Sequence, residues 1–392
     1  MTTNARCLAP VIRYFERSRM DRFTQLAAQY QGVDTPFLLM DQDLLREQAF
    51  LFKEQAGRCG VFYAVKANAD PAVMRLLHEA GIGFEVASEA ELRIAQSLGA
   101  STEQTISSNP VKAPSFITAM HESGVRRFVF DSTTEAEKLA KLAPGSEAIV
   151  RLTVDNSSSA WPLADKYGVD SDEAIELLDY AGSLGLSPAG ITFHVGSQCF
   201  DIDGWRKALE QTALLWGRCE DRGLSLSVLN LGGGFPAHHS QAIPSLPDTF
   251  ASIFRQVDEM FPSTVELQVE PGRGLVADAG VMVTTVIGKA TRNGDAWLYL
   301  DCGVFNGLME ASGGIQYTFL PMTATGATKP WTITGPSCDS MDVIAKGIEL
   351  PEPEVGERVL IYPAGAYTTA YASQFNGAPI PQVVIGSTNG SH

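Results

Sequence analysis

Between about residues 37 and 278 the chain alternates short apolar runs, rich in β-branched and aromatic residues, with longer amphipathic stretches. The short runs fall at 61–65, 83–87, 105–108, 127–130, 148–152, 190–193, 227–231 and 265–269. Each of the first seven is followed by a segment with helical spacing, such as 71–79, 89–98, 113–122 and 133–141. Pro71 or a hydroxyl or acidic residue opens these segments, and Gly81 and Gly99 close two of them. Strict alternation of strand and helix means βαβ units on a parallel sheet. Eight strands in roughly 240 residues match a (β/α)8 barrel in count and length. A doubly wound sheet satisfies the same alternation and is the structural rival. After about residue 279 the texture changes. Runs at 281–287, 296–300, 331–334, 359–362 and 383–385 are strand-like and separated by Gly, Pro and Asn, which predicts a second, mostly β domain. The expected organisation is an N-terminal segment (1–36, with one helix over 11–30) packing with the β domain, a barrel over 37–278 and the β domain over 279–392.

Composition narrows the function classes. The 392 residues are 45% hydrophobic and 19% charged, enough to bury a sizeable core. No apolar run has the length of a membrane span, and the Arg-containing N-terminus lacks the apolar stretch of a secretory signal, so a cytoplasmic protein is expected. A net charge of −16 argues against nucleic acid and anionic membrane as partners. Six cysteines are scattered without a C-x-x-C pair, which suits free thiols in a reducing compartment. His238 and His239 are adjacent, a poor spacing for metal ligation, and no metal site is expected.

On a barrel the chemistry collects at the C-terminal ends of the strands. The residues there are Lys66, Glu85 or Ser88, Asn109, Asp131, Arg151, His194, Gly232 to Gly234 and Glu270. Polar residues commonly end strands as turn formers. A lysine, an arginine, a histidine and two carboxylates on one rim exceed what turns require. Lys66 follows the apolar Phe62-Tyr63-Ala64-Val65. It is either a solvated lysine just past a strand or, as its place at a barrel strand's end favours, an amine in a dry mouth where desolvation lets it form a Schiff base. The triple glycine lets backbone N–H groups approach an oxyanion, and Arg273 offers it a guanidinium. Glu270 is placed either to hold a pyridine nitrogen protonated or to pair with Arg273, and His194 either stacks on such a ring or is a core histidine.

Four motifs carry a family resemblance: Tyr63-Ala64-Val65-Lys66-Ala67-Asn68, His194-Val195-Gly196-Ser197-Gln198, Gly232-Gly233-Gly234-Phe235-Pro236 and Glu270-Pro271-Gly272-Arg273. Gly335-Pro336-Ser337-Cys338-Asp339-Ser340, Gly365-Ala366-Tyr367-Thr368 and Phe375-Asn376-Gly377 extend it into the β domain. Together they resemble the fold-type III pyridoxal-phosphate decarboxylases, in the family's order from about residue 35 to 385. The stretch from Trp161 to Gly168 and the Cys338-Asp339-Ser340 triplet look like the bacterial ornithine/lysine branch.

The resemblance implies pyridoxal 5'-phosphate as cofactor and a basic amino acid, ornithine or lysine, decarboxylated to a diamine through a Schiff base and a quinonoid carbanion. It assigns Lys66 to the Schiff base, His194 to stacking and Glu270 to the ring nitrogen. Ser197, Gly233, Gly234, Arg273 and Tyr367 are assigned to the phosphate, with Glu85 and Arg151 also in the cofactor site. It also implies a head-to-tail homodimer in which Cys338 protonates the carbanion and Asp339 binds the distal ammonium across the interface. Phe375 and Glu310 are further substrate-side candidates, with Asp301 as the fallback for Glu310. Two features depart from the family. Glu85 stands where eukaryotic ornithine decarboxylases commonly carry Asp, and the segment 301–310 aligns loosely. The alternatives are the same chemistry on diaminopimelate, carboxynorspermidine or a specialised-pathway amino acid, a non-catalytic regulator of the antizyme-inhibitor kind, and a racemase on the same barrel. The diaminopimelate branch shares Gln198 but usually carries Glu beside the loop cysteine, and racemases of this fold lack the Cys-Asp-Ser loop.

Overall fold

The computed structural model describes residues 18–161, 166–239 and 241–388. The chain divides into two compact units, one of residues 49–236 and 244–272, the other of 1–48, 237–243 and 273–392.

The first unit is a nearly closed parallel barrel. Its eight strands are Gly60–Ala64, Gly83–Glu85, Thr105–Ile106, Arg127–Phe130, Glu147–Arg151, Ser187–Thr192, Val228–Asn230 and Glu266–Val269. The last pairs back onto the first through Gln268↔Gly60 and Val269↔Val61. The ends of the strand order, Thr105–Ile106 and Arg127–Phe130, meet in a single bridge, Ser107↔Phe128. Most strand positions are buried on both faces, which is why the runs read as continuously apolar rather than alternating. Val129, Ile149, Ala189 and Val228 form one cluster of this core.

Side chains at the strand ends start several of the helices. Asp70 caps Pro71–Glu79, Ser88 caps Glu89–Ser97, Ser132 caps Thr133–Leu142 and Asp170 caps Ser171–Ser183, each accepting from backbone N–H groups of the first turn. Ser88 and Ser132 thus start their helices within three residues of the preceding strand, whereas longer loops precede Pro71–Glu79 and Ser171–Ser183.

In the second unit one sheet has the order Thr318–Pro321, Arg358–Tyr362, Gly280–Arg292, Asp295–Leu300, Thr328–Thr334, Val343–Pro351. Phe37–Asp41 pairs antiparallel with Gly280–Arg292 and parallel with Gln382–Gly386. The expected boundary at residue 37 is corrected here. The sequence reading has no strand before residue 61, and these five buried residues are a strand of the β domain. The segment before it joins the same sheet: Arg358 donates to the carbonyls of Tyr30, Gln31 and Val33, and Arg22 pairs with the buried Asp41 at 2.6 Å. The N-terminal helix is observed over 18–27, and the expected part from 11 to 17 lies outside the described residues. The expected boundary at 278 moves to 272, because the short helix Arg273–Val276 belongs to this unit, as does the loop 237–243. Three strands, Phe37–Asp41, Thr318–Pro321 and Val343–Pro351, have no counterpart in the sequence reading; Pro321 ends the second, and Gly347 and Pro351 make the third look like loop.

Candidate active site

The barrel mouth is organised around two buried carboxylates. Glu270, just past the strand Glu266–Val269, is bonded by Ser108 Oγ and by Asn230 Nδ2 at 2.5 Å. Burial and the nearby Glu85 push its pKa up, while the Ser108 and Asn230 hydrogen bonds and Lys66 oppose the rise. Glu85 accepts from Ser108 N at 3.2 Å through Oε1. Its Oε2 is buried without a hydrogen-bond partner and lies 3.8 Å from Lys66 Nζ. Ser108 thus touches both carboxylates. Lys66, in a short 3-10 turn after Gly60–Ala64, has a side chain 52% exposed, so barrel side chains do not supply the dry surroundings expected of it.

The His194 ring accepts from Gly196 N through Nδ1 at 2.9 Å, which leaves the proton of the neutral ring on Nε2. Burial, with Arg151 and Lys66 adding to it, holds its pKa well below the ordinary value, so the ring is neutral. Arg151 faces the carboxylates of Glu270, Asp131 and Glu85. The glycines form a cradle that side chains would fill. A Cβ on Gly233 would stand 2.7 Å from Glu270 O and 3.0 Å from His194 Nε2, and one on Gly234 2.6 Å from Val195 Cγ2. Gly232 has φ +63°, and its Cβ would collide with the Phe193 carbonyl. Asn230 Oδ1 accepts from Gly232 N at 2.9 Å, tying this turn to the Glu270 network. Ser197 starts Ser197–Cys199, which pairs antiparallel with Ser159–Trp161.

The second unit holds the remaining candidates. Arg273 makes a buried two-pronged ion pair with Glu310 at 2.6 and 2.8 Å, and its guanidinium lies 4.8 Å over the Tyr367 ring. Glu310 is therefore not an open carboxylate awaiting a substrate amine; a buried guanidinium demands a partner, and Glu310 is it. Of the two readings of Glu270, the pairing with Arg273 is not the one observed. The fallback, Asp301, bonds Thr35 Oγ1 at 2.5 Å and Thr285 N at 2.9 Å, and burial pushes its pKa up.

Cys338 and Asp339 are exposed on a loop whose base is pinned by the buried Asp342, which accepts from Val304 N and Ser337 N at 2.7 and 2.9 Å. The Cys338 thiol accepts from Asn376 Nδ2 at 3.7 Å, and Phe375, 44% exposed, packs 4.7 Å from Phe305. Among described residues, Gln198, Asn293, Tyr367 and Asn376 are the non-glycine residues with positive φ. Three of these four sit in the motifs, where a held, unfavourable backbone points to function.

The structure sorts the predicted rim. Ser88 is a helix cap, Asn109 accepts from Val111 N in its own turn, and Asp131 accepts from Gly168 N. Lys66, Glu85, Arg151, His194, the glycines and Glu270 remain in one unit, and Arg273, Tyr367, Glu310, Cys338, Asp339 and Phe375 in the other. Sequence reasoning passed over Ser108, Asn230 and Asp342. Ser108 lies one residue before the chosen Asn109, and a polar Asn230 inside an apolar strand was the available signal for the second. Half of the Trp161-to-Gly168 motif (162–165) lies outside the described residues. His238 and His239 turn to different partners, Asp278 and the Gln316 carbonyl, and no described cluster of His, Cys, Asp or Glu could hold a metal ion. No described helix is long and apolar enough to cross a membrane.

The barrel donors fit a phosphorylated pyridine aldehyde: an amine and an unpartnered carboxylate oxygen at the mouth, a neutral imidazole, a buried acid with two hydrogen-bond donors, and a cradle with room only for backbone. Comparison with known proteins agrees with this chemistry. The sequence model described as "Pyridoxal-dependent decarboxylase, pyridoxal binding domain" matches residues 42–277. A lysine/ornithine decarboxylase of Selenomonas ruminantium is 37% identical over 358 residues, 90% of each chain. The crystal structure of the lysine decarboxylase from that organism, solved with PLP and cadaverine, superposes with a TM-score of 0.85 at 35% identity, covering 92% of both chains. Antizyme inhibitor 2 of Xenopus laevis is 30% identical over 385 residues, 93% of this chain and 83% of its own.

Proposed function

This chain belongs to the pyridoxal-dependent decarboxylase family, and from that premise we propose that it removes the α-carboxylate of ornithine or lysine. The balanced reaction takes up one proton at the α-carbon, releases carbon dioxide and leaves a diamine. The observation that carries the reading is Glu270, a buried carboxylate held by Ser108 and Asn230 in the same barrel mouth as Lys66 and the glycine cradle.

Pyridoxal phosphate supplies, when bound, a protonated ring that accepts the electron pair left at the α-carbon. The chain's residues do the rest. Lys66 offers the amine that holds the cofactor's aldehyde, and Glu85 faces that amine. Glu270 keeps the proton on the ring nitrogen, and its two hydrogen bonds oppose the rise in its pKa that burial and Glu85 impose. His194, kept neutral, stacks on the ring without adding a second positive charge. The N–H groups of Gly233 and Gly234, with Ser197, hold the phosphate. In the second unit Glu310 fixes the Arg273 guanidinium, which lies over the Tyr367 ring.

Two copies sharing their sites head to tail complete the reading. Cys338, Asp339 and Phe375 are exposed on their own unit, which suits residues that serve a partner's site. The Cys338 thiol delivers the proton to the α-carbon, and Asp339 pairs with the substrate's distal ammonium, excluding neutral side chains.

The test incubates the protein and pyridoxal phosphate with a panel of basic amino acids and diaminopimelate, identifying products by mass spectrometry. Putrescine or cadaverine is expected. A borohydride-reduced adduct should map to Lys66 and vanish in Lys66→Ala. The similarity to an antizyme inhibitor favours a second reading, a non-catalytic regulator. Retention of Lys66, the triple glycine, Glu270 and Cys338 argues against it, and an adduct at Lys66 without any product from the panel would turn the choice towards it.

A further inference from the structure

Lys112 has no part in the chemistry above, yet its side chain is completely buried. Its Nζ donates to Val129 O at 2.6 Å and Asn109 O at 2.9 Å, and lies 2.9 Å from Glu135 Oε1. An ammonium has three N–H groups, and here each finds an acceptor. Glu135, also buried, accepts from Lys112 N at 3.3 Å and pairs with Lys138 Nζ at 2.5 Å; Lys138 in turn donates to Lys112 O at 2.6 Å.

This network lies at the weakest seam of the barrel. The strands Thr105–Ile106 and Arg127–Phe130 are joined by one bridge, Ser107↔Phe128. Just beyond that bridge Pro110 has no N–H to extend a ladder. The lysine ammonium instead links a carbonyl on one side, Asn109, to a carbonyl on the other, Val129. Within the same loop, Ser108 sends its N–H to Glu85 and its hydroxyl to Glu270.

We propose that Lys112 is a positioning residue, whose buried ammonium closes the barrel seam and thereby aims Ser108 at Glu270. The inference rests on the reading of Glu270 as the partner of the ring nitrogen. Packing alone does not call for a charge, because burying an ammonium is costly and an apolar side chain fills the same volume. A charge is useful where two carbonyls must be held at a set separation. The groups facing this system are Glu85, Lys66 and Arg151 around Glu270, and Glu135, Lys138 and Asp131 around Lys112.

The test compares Lys112→Met, Ser108→Ala and the double variant with the wild type. In cofactor-free protein, hydrogen exchange at the Ser108 amide should be at least about tenfold faster in Lys112→Met. With pyridoxal phosphate, Kd should rise about tenfold. The pH titration of the bound cofactor's absorbance should move in the same direction as in Ser108→Ala, and the double variant should move no further than Ser108→Ala alone. Exchange and titration like the wild type's, with only a lowered Tm, would make the lysine a plug and overturn the proposal. Because Lys112→Met takes away one of two ammonium groups paired with Glu135 and can fail to fold, Glu135→Gln runs beside it. It should show the same changes in smaller measure, and a folded Glu135→Gln with none of them also overturns the proposal. The exchange readout needs no cofactor, so a wild type that binds none would sink the functional reading while leaving the clasp tested.

Discussion

Glu85 and Glu270 share one end of the barrel, and Ser108 bonds to both. Burial and the neighbouring Glu85 push the Glu270 pKa up, and the Ser108 and Asn230 hydrogen bonds oppose the rise. Ser108→Ala removes a bond that lowers the Glu270 pKa, and the acid limb of the kcat/KM profile is expected to move to higher pH. A pH–rate series on purified enzyme reads this directly. His194 carries the opposite expectation. With its pKa held well below the usual value, nitrogen NMR should show a neutral ring protonated at Nε2 down to about pH 6. Lys112 links charge to stability. Burial pulls its pKa down to about 8 from 10.5. The unfolded chain therefore binds the extra proton between those values, and stability at this site rises as pH climbs through that window. Urea unfolding of the wild type and Lys112→Met at pH 7.5 and pH 10 should show the difference shifting in the wild type's favour at the higher pH.

At the scale of elements, strands and helices were legible because their residue periods are local properties. The eight barrel runs are mostly apolar, and several of the helices that follow are opened by an Asp or Ser cap. The same locality explains the error at Phe37–Asp41: a strand buried on both faces looks the same in either sheet, and its partners lie more than two hundred residues away. The turn after Val228–Asn230 is the element on which the site depends most. Gly232 combines a positive φ with contact against the Phe193 carbonyl, so Gly232→Ala should destabilise by about 2 kcal/mol or more. Gly233→Ala has an ordinary φ but meets Glu270 O and His194 Nε2, and it should weaken pyridoxal phosphate binding more than it lowers Tm. Equal losses in both measurements for both variants would contradict this division.

For the whole molecule, the proposed shared sites make a prediction that single variants cannot. Lys66→Ala and Cys338→Ala homodimers should each be severely impaired. Refolded together in equal amounts they should recover about a quarter of wild-type activity, because half of the dimers are mixed and each mixed dimer carries one intact site. No recovery, with mixed dimers demonstrated by differently tagged chains, would mean that each site is built within one chain.

By itself the sequence determined the alternation that makes a barrel, the rim on which polar residues gather, and the ordered motifs that mark the family. All of these are written in residue types at short spacing. Which rim residues act together was decided only by the tertiary structure. Ser88 and Asn109 serve a local cap and turn and Asp131 holds the Gly168 N–H, while Ser108 and Asn230 converge on Glu270 from segments far apart in the chain. The partners of buried charges were settled at the same level. Arg273 chose Glu310 and Lys112 chose Glu135, because a charge removed from water must be paired with whatever folding brings beside it.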